Sequence, residues 1–131
     1  MKKIGILLLA LMLVFAFTAC SNNDEDGLTV EKGVLKVGMD LQWPPFETFD
    51  DGNEPSGISV DVAQALADKM DLELEVVNMD FGGLITALET GTIDIVIASM
   101  SITEEREAKV DFSEPYFFFK IIALLNKDFA M

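Results

Sequence analysis

The sequence predicts an α/β fold on a parallel sheet, and three observations predict it. Short apolar runs with strand character, at residues 34–38, 72–77 and 93–98, alternate with stretches of helical periodicity. The resulting order, β-α-β-α-β, favours parallel strands joined by right-handed crossovers. The chemically distinctive residues, 40–43, 81 and 99–101, each fall just after one of the three strands. Those positions share the carboxyl edge of the sheet, where ligands of such folds bind.

The elements follow in order. Residues 34–38 (Val-Leu-Lys-Val-Gly) form the first strand. Residues 41–49 hold Pro44-Pro45 and cannot be helix interior. Residues 50–57 (Asp-Asp-Gly-Asn-Glu-Pro-Ser-Gly) read as a turn-rich loop. Ser59 is placed to cap a helix running to about Met70, with Val60, Ala63, Leu66, Ala67 and Met70 on one face. Residues 72–77 alternate as a strand. Gly82-Gly83 opens a short helix through Leu84, Ile85 and Leu88, which Gly91 stops. Residues 93–98 are the third strand. Thr103 caps a last short helix whose first turn carries Glu104 and Glu105, where the helix dipole favours acids.

Before this domain lies a leader. Lys2 and Lys3 precede a long apolar run and the small residues Thr18-Ala19, the layout of a secretory signal peptide over residues 1–19. The run is short for a membrane span, which needs about 20 residues. Cys20 is the chain's one cysteine, so no internal disulfide can form. Its place directly after small residues resembles a bacterial lipobox, which implies lipidation at Cys20; the alternative is an ordinary signal peptide with an incidental cysteine. Residues 21–27 are polar and acidic and read as a tether.

Charge and residue inventory exclude several functions. Removing residues 1–19 takes two of the nine bases and none of the 23 acids, leaving 7 bases against 23 acids, a net charge of −16. Such a chain has no basic face for phosphates, so nucleic acid is not its partner. Histidine is absent. With it go the commonest general base, the commonest transition-metal ligand and any Ser/His or Cys/His nucleophilic pair.

The segment Ser99-Met-Ser-Ile-Thr-Glu-Glu-Arg106 points to one chemistry. A strand end with free N–H groups, two serines and a guanidinium suits a carboxylate, which arginine grips through paired, charge-assisted hydrogen bonds. The alternative for Arg106 is a surface pair with Glu105 or Glu107, worth about 0–1 kcal/mol. Trp43 precedes two prolines in a loop and reads as a pocket wall or a core tryptophan. Phe81, at a strand end before two glycines, reads as a pocket aromatic or a core phenylalanine. Asp40 reads as a pocket acid or a local turn cap.

The run from Ser99 to Tyr116 also resembles the ligand loop of family 3 bacterial extracellular solute-binding proteins, the polar amino-acid receptors of ABC importers. Gly38-Met-Asp-Leu-Gln-Trp-Pro-Pro-Phe-Glu47, Ser56-Gly-Ile-Ser-Val-Asp-Val-Ala and Phe81-Gly-Gly-Leu-Ile-Thr-Ala-Leu-Glu-Thr-Gly-Thr-Ile-Asp94 resemble further signatures of that family. The resemblance implies the first lobe of a type II periplasmic-binding fold. It implies ligand contacts from Asp40 to the ligand side chain, from Trp43 and Phe81 as facing aromatics, and from Ala98, Ser99, Ser101 and Arg106 to the α-carboxylate. It implies an amino acid and ABC permease subunits as partners, a lipid anchor on the extracellular face of the cell membrane, no enzymatic activity, and neither cofactor nor metal.

The resemblance covers about the first half of the family's domain. It divides the chain into a signal peptide (1–19), lipidated cysteine and tether (20–33), an incomplete first lobe (34–113), and a hinge with the first strand of an absent second lobe (114–131). It implies a truncated product or one piece of a split reading frame. The carboxylate site would then lie open to water, and weak binding of free amino acids is expected. Other readings are a non-functional remnant, a sensor input domain, or a dehydratase-like relative of the same fold.

Overall fold

The computed structural model describes residues 27–127. The segments expected to be signal peptide and tether, with Cys20, lie outside the described residues up to residue 26. The elements are β1 (Val34–Met39), β2 (Thr48–Phe49), β3 (Pro55–Ser56), α1 (Ile58–Met70), β4 (Glu73–Asn78), a 3₁₀ turn (Phe81–Gly83), α2 (Leu84–Glu89), β5 (Ile95–Val96) and α3 (Glu104–Glu107). The main sheet is parallel, in the order β4-β1-β5. The α/β class and the parallel core are those read from the sequence.

Alternation along β1 explains how helices cover both faces. Leu35, Val37 and Met39 point to one side and are buried with Ala63 and Ala67 of α1. Gly38 points to the other side, and a Cβ there would lie 2.9 Å from Leu84 Cδ2 and 2.5 Å from Ile93 Cδ1. The glycine leaves room for the Leu84 and Ile93 side chains to pack directly on the strand.

Four local expectations are corrected. Residues 50–57 are not simply a loop: β2 and β3 pair as an antiparallel hairpin. Asp50 closes it, its Oδ1 accepting from Gly52 N at 2.8 Å and Glu54 N at 2.9 Å, as aspartates do in turns. Ser59 does not cap α1, for the cap is Gly57. The N–H groups of Ile58 and Ser59 are taken by the carbonyls of Pro45 and Phe46, at 3.2 and 2.8 Å. With those donors satisfied, the Ser59 hydroxyl is free to donate to Glu47 Oε2 inside the protein. The third strand is shorter than residues 93–98: β5 pairs with β1 at Ile95 and Val96 only, while Asp94 N and Ile97 N still donate to Lys36 O and Gly38 O. Finally, residues 120–126 lie in no strand among the described residues.

The two helix stops behave as glycine and cap chemistry require. Gly91 has φ +66 and follows α2, with Thr92 N donating to Ala87 O. Thr103 caps α3, its hydroxyl accepting from Arg106 N at 3.3 Å. At the amino end of the sheet, residues expected to be tether are tied down. Val30 N donates to Asp94 Oδ1 at 2.5 Å, and Lys36 pairs with Glu31 at 2.8 Å and Glu75 at 3.6 Å.

Candidate functional site

The carboxyl ends of β1, β4 and β5 are stitched together before any ligand is considered. Met79 N donates to Met39 O at 2.9 Å, and Leu41 N donates to Asn78 Oδ1 at 3.2 Å. Asp40, only 8% exposed, accepts from Phe81 N at 3.3 Å through Oδ2 and from Gln42 Nε2 at 2.9 Å through Oδ1. The residue is therefore a cap for the neighbouring loop as well as an anion at the sheet edge.

Phe81 links this acid to the arginine. Its ring lies under Arg106, with the guanidinium carbon 5.2 Å from the ring centroid, a cation–π distance. Arg106 Nη1 donates to Ser101 O at 2.7 Å. The guanidinium is thus held on one side by a carbonyl and on a face by an aromatic. Its remaining N–H donors are left for an incoming group. The backbone N–H groups of Ser99 and Ser101 have no backbone acceptor among the described residues. Ser99 adopts φ +48, and its Oγ is buried without a hydrogen-bond partner among the described residues. A strained residue with an orphaned hydroxyl beside a fixed arginine is an arrangement that functional sites carry.

The structure thus brings Asp40, Phe81, Ser101 and Arg106 into one connected set. Trp43 is 60% exposed, which rules out a core tryptophan. Its backbone is closed on Glu47, N to O at 2.8 Å and O to N at 3.0 Å. Ala98 is 2% exposed, so only its backbone can serve a ligand. Ser101 contributes its carbonyl to Arg106, an additional role to the N–H implied by the resemblance. Gln42, Asn78 and the Glu47–Ser59 pair were not foreseen. Asn78 carries a readable signal, since Asx side chains at strand ends bind nearby backbone; Gln42 carries none.

A cavity of about 820 Å³ opens beside this cluster without being centred on it. It follows the outer edge of β5 between Leu66 of α1 and Leu88 of α2, and reaches Ser99 and Ser101 but not Arg106 or Phe81. Its walls are mostly apolar, whereas the groups suited to a charged ligand lie at the sheet edge. The chemistry is therefore assigned to the Arg106 cluster.

A parallel α/β domain with a fixed arginine at its sheet edge is the framework of a solute-binding domain. The chain belongs to the bacterial extracellular solute-binding proteins, family 3, whose profile matches residues 35–130. It is 38% identical over 128 residues to the arginine-binding extracellular protein ArtP of Bacillus subtilis, covering 98% of this chain and 49% of that protein. It is 34% identical over 128 residues to the ABC transporter arginine-binding protein 1 of Escherichia coli, covering 98% of this chain and 48% of that protein. Among solved structures, the arginine-bound form of domain 1 from TmArgBP superposes with a TM-score of 0.64 at 46% identity, covering 65% of this chain and 68% of that one. The chain spans about half the length of the curated relatives it matches. Those relatives are binding proteins by name.

Proposed function

We propose that the chain captures an amino acid, with its α-carboxylate on Arg106 and the N–H groups of Ser99 and Ser101, and hands it to an ABC permease outside the cell membrane. The observation that carries this reading is the Arg106 guanidinium, fixed by Ser101 O and the Phe81 ring beside the orphaned Ser99 hydroxyl. Asp40, bonded to the backbone of the same Phe81, adds a carboxylate to the arginine cluster. A ligand with a carboxylate at one end and a cation at the other matches that polarity. Trp43 and Phe81 flank its stem, and arginine is the first candidate. The names of the arginine-binding relatives support the choice.

The expectation of weak binding is revised within this proposal. Domain 1 of TmArgBP has an arginine-bound form, and this chain covers most of that domain. That likeness supports arginine binding by the present residues alone. Calorimetric titration with arginine, histidine, cystine and glutamine tests it. Arg106→Ala should weaken arginine binding by about 2 kcal/mol, the low end for losing one partner of a charge pair, because Arg106 is only half-buried. An unchanged dissociation constant would remove Arg106 from the site, and no binding by the parent would end the proposal for this chain.

We also infer that Cys20 carries the membrane anchor. A diacylglyceryl group supplies the two chains that stable anchoring needs. Fractionation of cells making Cys20→Ala checks this: the variant should leave the membrane pellet, and its retention there would place the anchor elsewhere.

A further inference from the structure

β5 is an edge strand. In the order β4-β1-β5 it pairs with β1 on one side, and its other side has no neighbour among the described residues. The apolar cavity runs along that free side. Val62 and Leu66 of α1 wall it on one face of the sheet, and Ile85 and Leu88 of α2 on the other. An edge strand offers unpaired N–H and C=O groups to any chain that comes alongside. A slot between two helices with a strand edge at its back has the form of a position for one more strand.

A strand in that position faces α1 with one side and α2 with the other, so it has to be apolar on both. Residues 116–125 (Tyr-Phe-Phe-Phe-Lys-Ile-Ile-Ala-Leu-Leu) meet that demand, because Lys120 alone interrupts the apolar run. The charge of Lys120 also has a matching wall: four acids line the slot, Glu89 and Asp94 among them, against one base, Lys109. The run does not fill the slot of its own chain. Tyr116 to Phe118 stand at its wall, residues 119–125 do not, and all of 116–125 are exposed. A reversal into the same slot lacks the residues that make turns, for no Gly, Pro, Asn, Asp or Ser occurs from Tyr116 to Leu125. Phe117 is held against Phe46, and an extended run of this length spans about 33 Å, enough to reach a neighbouring molecule.

We propose that the slot beside β5 takes residues 117–125 of a second copy of this chain as an added strand. Each copy carries both the slot and the run, so the exchange is reciprocal and closes at two copies. The proposal does not depend on which ligand the Arg106 cluster holds.

The test is complementation between two variants of the chain without residues 1–19, with reductant present so that Cys20 forms no cross-link. The slot variant is Val62→Glu with Leu66→Lys. Both positions are 37% exposed, and Glu four residues ahead of Lys supports a helix, so far-UV circular dichroism should match the parent. The run variant is Ile121→Lys with Leu124→Glu. By sedimentation velocity the parent should run as a dimer and each variant alone as a monomer. Mixed, the two variants should form a heterodimer, the intact run of one lying in the intact slot of the other. Fluorescently labelled run variant should also move into a faster species when parent is added, an arm that leaves the slot unmutated and does not require the slot variant to fold. Pairing of run with run gives the opposite pattern: the slot variant would still self-associate, and neither mixture would form a mixed species. That pattern, or a parent that stays monomeric because its run folds into its own slot, would overturn the proposal.

Discussion

Gly38 and Gly57 show how single residues set the geometry around the site. At Gly38 an added Cβ would meet only the far ends of Ile93 and Leu84, which can shift. At Gly57 it would run into the carbonyl oxygens of Phe46 and Pro45, which are fixed because they accept the first N–H groups of α1. Gly57 also sits at φ +118, where an L side chain is strained. Gly38→Ala should therefore destabilise by about 1–3 kcal/mol, as overpacking does, and Gly57→Ala by more. Urea denaturation of both variants checks the order, and a milder loss at Gly57 would contradict it. At this scale the sequence was partly legible. Arg106, Ser99 and Phe81 were picked out because their residue types are unusual after a strand. Asp40 stood open between cap and pocket acid, and its dual use needed coordinates, since Gln42 is unremarkable in sequence. Ser59 misled for a physical reason: a serine ahead of a helix normally takes the free N–H groups, but here backbone carbonyls had already taken them.

Elements were legible where one force dominates. The period-two pattern of β1, the apolar face of α1, the Gly91 stop and the Thr103 cap are each local signals, and each appears close to its expected place. Where two local readings competed, the sequence could not choose. The 50–57 segment is both turn-rich and able to pair, and Asp50 decided for a hairpin. Leu66 and Met70 match the buried face of α1 by periodicity but are 37% and 38% exposed; Leu66 lines the open cavity beside β5. Among the described residues the segment after α3 is attached where the Phe117 ring meets Phe46 edge-on, and titration reports on the neighbouring Tyr116. Burial is the main cause that raises the Tyr116 pKa above the ordinary 10.0; the Ser59 hydrogen bond lowers it and the Glu47 charge raises it. A raised value means that the folded state holds the phenolic proton more tightly than the unfolded chain. The resulting stability is fully present below pH 10 and is lost as pH rises through the folded value. Lys36, also raised, chiefly by its hydrogen bond to Glu31, acts in the same direction and sets a background common to both proteins. Urea midpoints followed upward from neutral pH should fall for the parent and fall less for Tyr116→Phe. Parallel curves would mean that the Tyr116 hydroxyl makes no linked contribution.

For the molecule as a whole, charge and apolar surface are unevenly placed. The net charge of −14 for the full chain keeps copies apart over most of the surface. Residues 116–125 are the exception: one lysine stands among nine apolar or aromatic residues. Phe118 is 82% exposed, Ile121 91%, Ile122 72% and Leu124 89%. This stretch is rich in β-forming residues, and among the described residues it belongs to no sheet. Ten residues are too few to cross a bilayer, which takes about 20 in a helix. In water a contiguous apolar strip of this kind drives association between copies, by strand pairing and by burial of side chains. The chain without residues 1–19 should accordingly self-associate in a concentration-dependent way. The attraction should weaken when charge is placed at the most exposed positions, because a charged side chain cannot be buried in a pairing interface without a partner. Ile121→Lys with Leu124→Glu introduces one charge of each sign, leaving the net charge of the chain unchanged while breaking the apolar run. Sedimentation velocity on parent and double variant, at matched concentrations, separates the cases. A parent that forms oligomers and a variant that runs as a monomer would show that the strip is the cause. Equal behaviour of the two would mean that residues 116–125 are already covered within one chain, and that any association comes from elsewhere on the surface.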